Sequence, residues 1–317
     1  TVGGTVATNA GGIRVLRYGD TRAQVLGVEA VLGTGAVVAH TAGLWKDNTG
    51  YHLGSLLCGS EGTLGVVTAA RLRLVPPAAE RAVVLLAFAG PAPAVVAATG
   101  LRRALESLSA VELFVADGLD LVCDRFGLGR PFAAAYPAYL LVEAAGAIDP
   151  TGDVEAVVGS LAGVLDVAVA DGPVRAAQLW RYREGHSEAI NALGAPHKLD
   201  VTLPAAALAA FVDEIPGVVS AVAPAARTWL FGHAADGNVH VNVTGVAPDD
   251  DTVDEAVLEA AASAGGSISA EHGIGTAKRR WLSLVRQPAE IEAFAAIKAA
   301  LDPDRVLNPH VLLPEPS

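Results

Sequence analysis

The side chains most capable of chemistry lie close together in one short stretch, FGHAADGNVHVNV (231–243). If Ala-Ala-Asp-Gly forms the turn of a hairpin, His240 lies opposite Phe231 and becomes a diagonal neighbour of His233. Such Cβ atoms are roughly 7–8 Å apart, within reach of one metal ion. Asn242 follows on the same face, whereas the alternating valines point to the other. The stretch therefore predicts a strand pair with one apolar face and one chemical face.

A third metal ligand must come from elsewhere, and SAEHGIG (269–275) is the best candidate. It places Glu271 and His272 side by side before two glycines, a loop setting typical of functional sites. Two histidines and a carboxylate with open positions suit Zn²⁺, Mn²⁺ or Fe²⁺. The alternative is that these histidines are ordinary polar surface groups.

Composition restricts the class of protein. Of 317 residues, 52% are hydrophobic and 18% are charged, enough apolar residues for a sizeable core. The net charge of −12, without blocks of Lys or Arg, argues against a nucleic-acid partner. No apolar run reaches the roughly 20 residues of a membrane span. Cys58 and Cys123 lie far apart and are expected to be reduced thiols in a cytoplasmic protein.

Two further features concern organisation. The chain contains no methionine and starts at Thr1 inside a Gly-rich motif, so we expect an N-terminal part to be absent. Pro76-Pro77 ends a Gly- and Thr-rich segment, which predicts domains over 1–77 and 78–317. The second domain alternates strand-like and helix-like segments, which predicts an α+β fold. The strands are predicted at 81–89, 110–116, 138–145, 166–170, 228–233 and 238–244, and the helices at 93–108, 153–165, 251–266 and 288–303.

Five motifs occur in a fixed order: TVGGTVATNAGG, LCGSEGTLGVVT, FGHAADGNVH, SAEHGIGTAKR and LDPDRVLNP. Together they resemble the FAD-linked 2-hydroxy-acid dehydrogenases of the vanillyl-alcohol-oxidase flavoprotein superfamily. The resemblance implies the C-terminal part of a PCMH-type FAD-binding domain over 1–77. It implies an FAD-linked oxidase C-terminal domain over 78–317, with a large antiparallel, ferredoxin-like sheet covered by helices.

The resemblance also assigns roles. His233, His240 and Glu271 would bind a divalent metal, most simply zinc, and His272 would be the general base. Glycines would let backbone N–H groups approach the flavin, and short polar side chains would add contacts. The implied FAD-contacting residues are Gly3, Gly4, Thr8, Asn9, Gly11, Gly12, Gly59, Ser60, Gly62, Gly65 and Asn308.

A substrate site follows from the same likeness. WRYREGHSEAI (180–190) matches a segment whose arginine, here Arg183, binds the substrate carboxylate, with Ser187 one helical turn on. Lys198 matches a lysine that contacts a distal carboxylate in hydroxyglutarate-oxidising members, and Asn242 would orient the substrate or a ligand. A Lys198 ammonium expected to be buried would need an anionic partner, which favours a substrate with two carboxylates.

The expected activity is oxidation of a D-2-hydroxy acid, D-2-hydroxyglutarate or a similar diacid, to the 2-oxo acid, with hydride transfer to FAD. The expected partners are a small anionic substrate and an electron-accepting protein or quinone, with a homodimer as a further option. Oxidation of D-lactate or glycolate is the alternative within the family. A metallohydrolase built on the two histidines and Glu271, and an inactive fragment that binds only metal or a partner, are the alternatives outside it.

Overall fold

A computed structural model describes residues 1–44 and 46–314. The strands in chain order are β1 (Val25–Leu32), β2 (Val37–His40), β3 (Gly65–Leu72), β4 (Glu80–Phe88), β5 (Leu108–Val115), β6 (Ala138–Gly146), β7 (Asp166–Val169), β8 (His197–Thr202), β9 (Arg227–His233) and β10 (Asn238–Thr244). The helices are α1 (Val2–Thr8), α2 (Val15–Tyr18), α3 (Thr21–Gln24), α4 (Leu53–Leu57), α5 (Pro91–Ala104), α6 (Ala116–Phe126), α7 (Thr151–Ser160), α8 (Pro173–Glu184), α9 (His186–Asn191), α10 (Ala205–Val222), α11 (Thr252–Ser263) and α12 (Pro288–Leu301). A 3₁₀ helix spans Arg279–Leu284.

The chain divides into two compact units. Unit 1 combines Thr1–Pro76 with the segment from Ile268 onward, and unit 2 is Pro77–Ser267. The sequence-based division has one boundary, at 77/78, whereas the structural division has a second one at 267/268. Unit 1 is therefore discontinuous in sequence, because its C-terminal segment packs with its N-terminal one.

Unit 1 is built on a three-stranded antiparallel sheet in the order β2-β1-β3. Its core comprises Val6, Val25, Val28, Ala30, Leu57, Cys58 and Leu64, and α12 adds Ile297 and Leu301. The buried Lys298 of α12 donates its ammonium protons to the carbonyl oxygens of Thr63 and Leu307 and to the Asp302 carboxylate. These bonds fasten α12 to the segment before β3, because a buried ammonium requires several acceptors.

Unit 2 is built on a seven-stranded antiparallel sheet in the order β7-β4-β6-β5-β9-β10-β8. The large antiparallel sheet covered by helices, expected from the resemblance, is thereby confirmed. Eight successive residues of β6 are buried, so both faces of the sheet are covered there. On the face of the sheet that carries Glu112 and Phe231, α8 and α9 bring Arg183 and His186 against the strands.

One helix is long and apolar enough, by length and composition alone, to cross a membrane, namely α10. It contacts α5, α11 and β9, and its buried residues Leu208, Phe211, Val212, Ile215 and Val219 repeat at helical spacing. Asp213, Glu214 and Pro216 interrupt its other faces. This amphipathic pattern is that of a helix packed on a sheet.

Candidate active site

The predicted hairpin is present, and its register places the chemical side chains on one face of the unit 2 sheet. Strands β9 and β10 pair with His240 opposite Phe231, as the sequence predicted. Residues that face each other across antiparallel strands share a face, and so do alternate residues of one strand. Strand by strand, this face carries Glu112 of β5, Phe231 and His233 of β9, His240 and Asn242 of β10, and Lys198 and Asp200 of β8.

His233 is held by a buried carboxylate that the sequence did not identify. Its Nδ1 lies 2.6 Å from Oε1 of Glu112, and both side chains are buried. A carboxylate only accepts hydrogen bonds, so Nδ1 carries the proton of this contact and Nε2 is the nitrogen left for a metal ion. A histidine ligand whose other nitrogen donates to a carboxylate is the usual arrangement at protein metal sites.

His240 also lies near a buried carboxylate, at a longer distance. Its Nδ1 lies 3.4 Å from Oδ1 of Asp200, which is fully buried and also accepts from Asn238 Nδ2 at 2.7 Å. The His233 and His240 rings are nearly perpendicular, with centroids 5.4 Å apart, and a ligand nitrogen of each lies within 4.8 Å of the other. Two nitrogens on one tetrahedral zinc ion stand roughly 3–4 Å apart, so small side-chain rotations suffice.

Two buried amide atoms on these strands have no hydrogen-bond partner among the described residues, Nδ2 of Asn242 and Oδ1 of Asn238. Leaving a polar atom buried and unpaired costs about 1–3 kcal/mol. Asn242 shares the face of the two histidines, so its amide donor is available to a bound anion or ligand.

Arg183 is buried at the C-terminal end of α8. Its Nε lies 2.8 Å from Oε2 of Glu112, and its guanidinium carbon lies 4.5 Å from the centre of the Phe231 ring. Neither Nε of Arg183 nor Oε2 of Glu112 makes a directed hydrogen bond, although the two atoms are close. The contact is therefore an ion pair, reinforced by cation–π attraction to the ring.

His186 is a second residue that the sequence did not identify. It is fully buried, its Nδ1 contacts the carbonyl oxygen of Arg183 at 3.1 Å, and its ring lies against Phe114 and Phe231. Burial, with the nearby Arg183 cation, lowers its pKa to about 3. The ring is therefore neutral, donates from Nδ1 and supports the backbone on which Arg183 sits.

Two predicted substrate contacts are placed differently from the expectation. Lys198 lies opposite Asn242 in the strand register, but it is exposed, so the premise of a buried ammonium is wrong. Asp200, on the same face of the edge strand β8, is buried, so the exposure is particular to the end of the strand that carries Lys198. Ser187 is also exposed, whereas Arg183 is buried, because the two residues point to different sides of the α8–α9 segment.

In unit 1, the GSEGTLG motif forms a tight turn before β3. Gly59 and Gly62 have φ of 83° and 69°, which favours glycine. An added Cβ would come within 2.8 Å of Arg22 at Gly59 and within 2.7 Å of Asn308 at Gly62. The left-handed backbone at both positions therefore favours glycine without reference to a ligand. Ser60 is buried in the same turn, and Gly65 begins β3.

The first motif begins with a helix that the sequence did not predict. Gly3 and Gly4 lie inside α1, because Thr1 caps the helix by accepting from the Gly4 N–H and Asn9 ends it in the left-handed conformation. The Asn9 amide donates to Asp20 and accepts from the backbone of Arg22.

Some of the remaining residues of that motif have exposed backbone, and others contact protein atoms. Thr8 donates to the Gly4 carbonyl oxygen. A Cβ built at Gly3 or Gly12 would meet no atom within 4 Å, so there the backbone is accessible to a ligand. At Gly11 the added Cβ would lie 3.2 Å from Oε1 of Glu271. Backbone open to a ligand at Gly3 and Gly12 fits the approach of a dinucleotide.

The segment carrying Glu271 and His272 is an irregular loop of unit 1. Glu271 is half-buried and His272 is exposed. The Glu61 carboxylate accepts the backbone N–H groups of Ile274 at 2.9 Å and Gly275 at 2.7 Å, and Ser269 donates to the Gly273 carbonyl oxygen.

Asn308, an implied FAD contact, is exposed in this unit, and its Nδ2 donates to the carbonyl oxygen of Glu61. The glutamate of GSEG therefore connects three of the five sequence motifs.

Comparison with known families identifies the chain. Residues 77–312 match the model of the C-terminal domain of FAD linked oxidases, and residues 1–41 match an FAD binding domain. The chain belongs to the FAD-linked oxidase family.

Its relatives in this family include D-2-hydroxyglutarate dehydrogenases. The mitochondrial enzyme of Bos taurus is 39% identical over 99% of this chain and 59% of its own length. The enzyme of Xanthomonas citri pv. viticola is 37% identical over 98% of this chain and 67% of its own length. The chain thus spans about three fifths of the bovine relative. A solved structure of alkyldihydroxyacetonephosphate synthase matches with a TM-score of 0.66 at 16% identity, over 97% of this chain and 57% of its own, which shows a shared fold.

Glu112 and Asp200 lie outside the motifs quoted above, and Glu61 and His186 lie within quoted segments but were given no role. One signal was available for Glu112, which is the only charged residue of β5 (LSAVELFV). A charge inside an otherwise apolar strand is seldom buried unless it has a partner. Its partner, however, lies about 120 residues away and is known only from the strand order.

Proposed function

We propose that this chain is part of an FAD-dependent dehydrogenase that oxidises a D-2-hydroxy acid to the 2-oxo acid. The observation that carries the proposal is the buried group on the unit 2 sheet, in which Glu112 holds both His233 and Arg183. It offers a metal-ligating nitrogen and a guanidinium side by side, which suits a substrate with adjacent hydroxyl and carboxylate oxygens.

Each side chain has a role in this reaction. Arg183 binds the C1 carboxylate through its terminal nitrogens, because its Nε faces Glu112. Asn242 donates its unpaired buried amide proton to a substrate oxygen and fixes the orientation of the α-carbon. His272 takes the hydroxyl proton, a role that rests on its place in the SAEHGIG motif.

The cofactors follow from the family and the ligand chemistry. We assign His233 and His240 as metal ligands, with Glu271 as the third on the strength of its motif, and zinc, manganese or iron as the ion. We assign FAD to unit 1, with the accessible backbone at Gly3 and Gly12 supporting the assignment. When bound, FAD accepts the hydride from the α-carbon and the ion makes the hydroxyl more acidic.

We propose D-2-hydroxyglutarate or a similar diacid as the substrate. The D-2-hydroxyglutarate dehydrogenases among the relatives support this choice. Lys198 adds to it, since its exposed ammonium shares the face of Asn242 and can meet a second carboxylate. D-Lactate and glycolate have no such carboxylate, and a metallohydrolase would leave the FAD motifs without a role. Electrons would leave to a protein or quinone, and a cytoplasmic location and a homodimer belong to the same proposal.

The test is anaerobic mixing of the full-length protein with D-2-hydroxyglutarate while the flavin absorbance near 450 nm is followed. We expect bleaching that requires bound metal, and its loss in Arg183→Met without loss of FAD. Arg181→Met is the matched control, since Arg181 is exposed on the same helix. Flavin that stays oxidised with every D-2-hydroxy acid tested, in protein loaded with metal and FAD, would contradict the proposal.

A further inference from the structure

One buried carboxylate, that of Glu112, contacts two side chains with different proposed roles. The side chain of Glu112 is 1% exposed, with Oε1 at 2.6 Å from Nδ1 of His233 and Oε2 at 2.8 Å from Nε of Arg183. Each oxygen thus has its own cationic or N–H partner. The sequence motifs assign nothing to this residue.

The sheet dictates this bridge. Strands β5 and β9 pair with Glu112 opposite His233, so the two side chains emerge side by side on one face. Arg183 reaches the same carboxylate from α8, and Phe231 of β9 lies against its guanidinium. The carboxylate is therefore fixed by its strand, whereas its two partners come from a different strand and a helix.

Burial of a carboxylate is costly and is retained only where its partners satisfy it. Glu112 is hydrogen-bonded to a histidine and ion-paired with an arginine, and each of these two side chains loses freedom. His233 is confined to the orientation with Nδ1 on Glu112 and Nε2 left for a metal ion, and Arg183 is confined to the orientation that leaves its terminal nitrogens free of Glu112. Both constraints depend on the side chain of Glu112.

We propose that Glu112 is the positioning residue that couples the metal site to the substrate-carboxylate site. This inference rests on the proposed function and adds that the two sites share one buried carboxylate. Loss of the carboxylate weakens metal binding and substrate binding together, although Glu112 contacts neither ligand.

Two substitutions separate charge from shape. In Glu112→Gln the side chain keeps its length but has a single acceptor oxygen, so it can serve His233 or Arg183 and presents an N–H₂ group to the other. In Glu112→Asp the charge remains, but the shorter side chain cannot span both partners. Glu143→Gln is the matched control, because Glu143 is a buried glutamate on the same face of the adjacent strand β6. Its contact with Trp180 Nε1 needs only one acceptor oxygen.

The experiment uses the full-length protein with FAD bound. Zinc affinity is measured without substrate by competition with a chelator. KM and kcat for D-2-hydroxyglutarate are then measured at saturating zinc, so that loss of metal does not enter KM. We expect about 10–100-fold weaker zinc binding in Glu112→Gln, the range for outer-shell partners of metal ligands. We also expect KM to rise at least tenfold, with FAD content and Tm near those of Glu143→Gln.

The outcomes are distinct. Normal zinc affinity or normal KM in folded Glu112→Gln would overturn the coupling. If Glu112→Gln does not fold, Glu112→Asp decides: a folded protein with both affinities reduced supports the proposal, and unchanged affinities or a second failure to fold would make Glu112 a purely structural residue. His240→Ala tests the proposed function separately, since zinc binding that survives its removal would refute the metal site itself.

Discussion

Removal of the Glu61 carboxylate should open the loop that carries His272. Glu61 accepts the N–H groups of Ile274 and Gly275 at 2.9 and 2.7 Å. Hydrogen bonds to a charged group contribute about 1.5–3 kcal/mol each when buried. Glu61 is half-buried, and we therefore assign about 1 kcal/mol to each bond and about 2 kcal/mol to the pair. Because 1.4 kcal/mol is a factor of ten, opening of the loop should become about 30-fold more frequent in Glu61→Ala.

The measurement is amide hydrogen exchange of Ile274 and Gly275 in the full-length protein, by mass spectrometry or NMR. Local opening of this kind governs exchange without global unfolding. We expect these two amides to exchange about 30-fold faster, while the amides of the buried strand β6 in unit 2 change little. Glu61→Gln is the matched control: it keeps one acceptor and the same left-handed backbone at φ 52°, so it should give an intermediate rate. Unchanged exchange in a folded Glu61→Ala protein would show that the carboxylate does not hold the loop.

Three further outcomes can be measured. Burial keeps the pKa of His186 at about 3, below the unfolded value near 6.5, so the stability it contributes at neutral pH is lost as pH falls from about 6.5 towards 3. The free energy of unfolding, measured with urea, should fall less between pH 7 and pH 4 in His186→Phe than in the parent protein. An identical fall in both proteins would contradict this account. Gly237→Ala should lower Tm by about 2–12 °C, because φ is 87° and the new Cβ would lie 2.4 Å from the Leu203 carbonyl oxygen. A Tm within 1 °C of the parent would refute the clash. Lys198→Ala should reduce kcat/KM for D-2-hydroxyglutarate by only about fivefold, since an exposed ion pair is worth about 1 kcal/mol, with no change for D-lactate; equal losses on both substrates would exclude a contact with the distal carboxylate.

The hairpin was predictable because its information is local. Alternation along 231–243 fixes which side chains share a face, and the turn fixes that His240 lies opposite Phe231. The strand–helix alternation of unit 2 was visible for the same reason. Neither property requires knowledge of which strands become neighbours.

The features that the sequence did not predict depend on the pairing of strands that are distant in the chain and on helix caps. Glu112 meets His233 only because β5 and β9 are adjacent, and periodicity does not determine strand order. The exposure of Lys198 is likewise a property of the folded chain, since Asp200 on the same face of β8 is buried. Helix α1 was missed because two glycines lower helix propensity, whereas the Thr1 cap and the Asn9 turn offset that cost.

The discontinuity of unit 1 has a consequence for synthesis on the ribosome. The segment up to Pro76 emerges before unit 2, whereas α12, which contributes Ile297 and Leu301 to the same core, emerges only after the whole of unit 2. Roughly 190 residues separate the two segments, which at about 5–20 residues per second amounts to roughly 10–40 s of translation. During that interval the apolar core of unit 1 lacks the residues that α12 contributes to it. Apolar surface exposed in this interval favours aggregation, and slow codons within unit 2 would prolong the exposure.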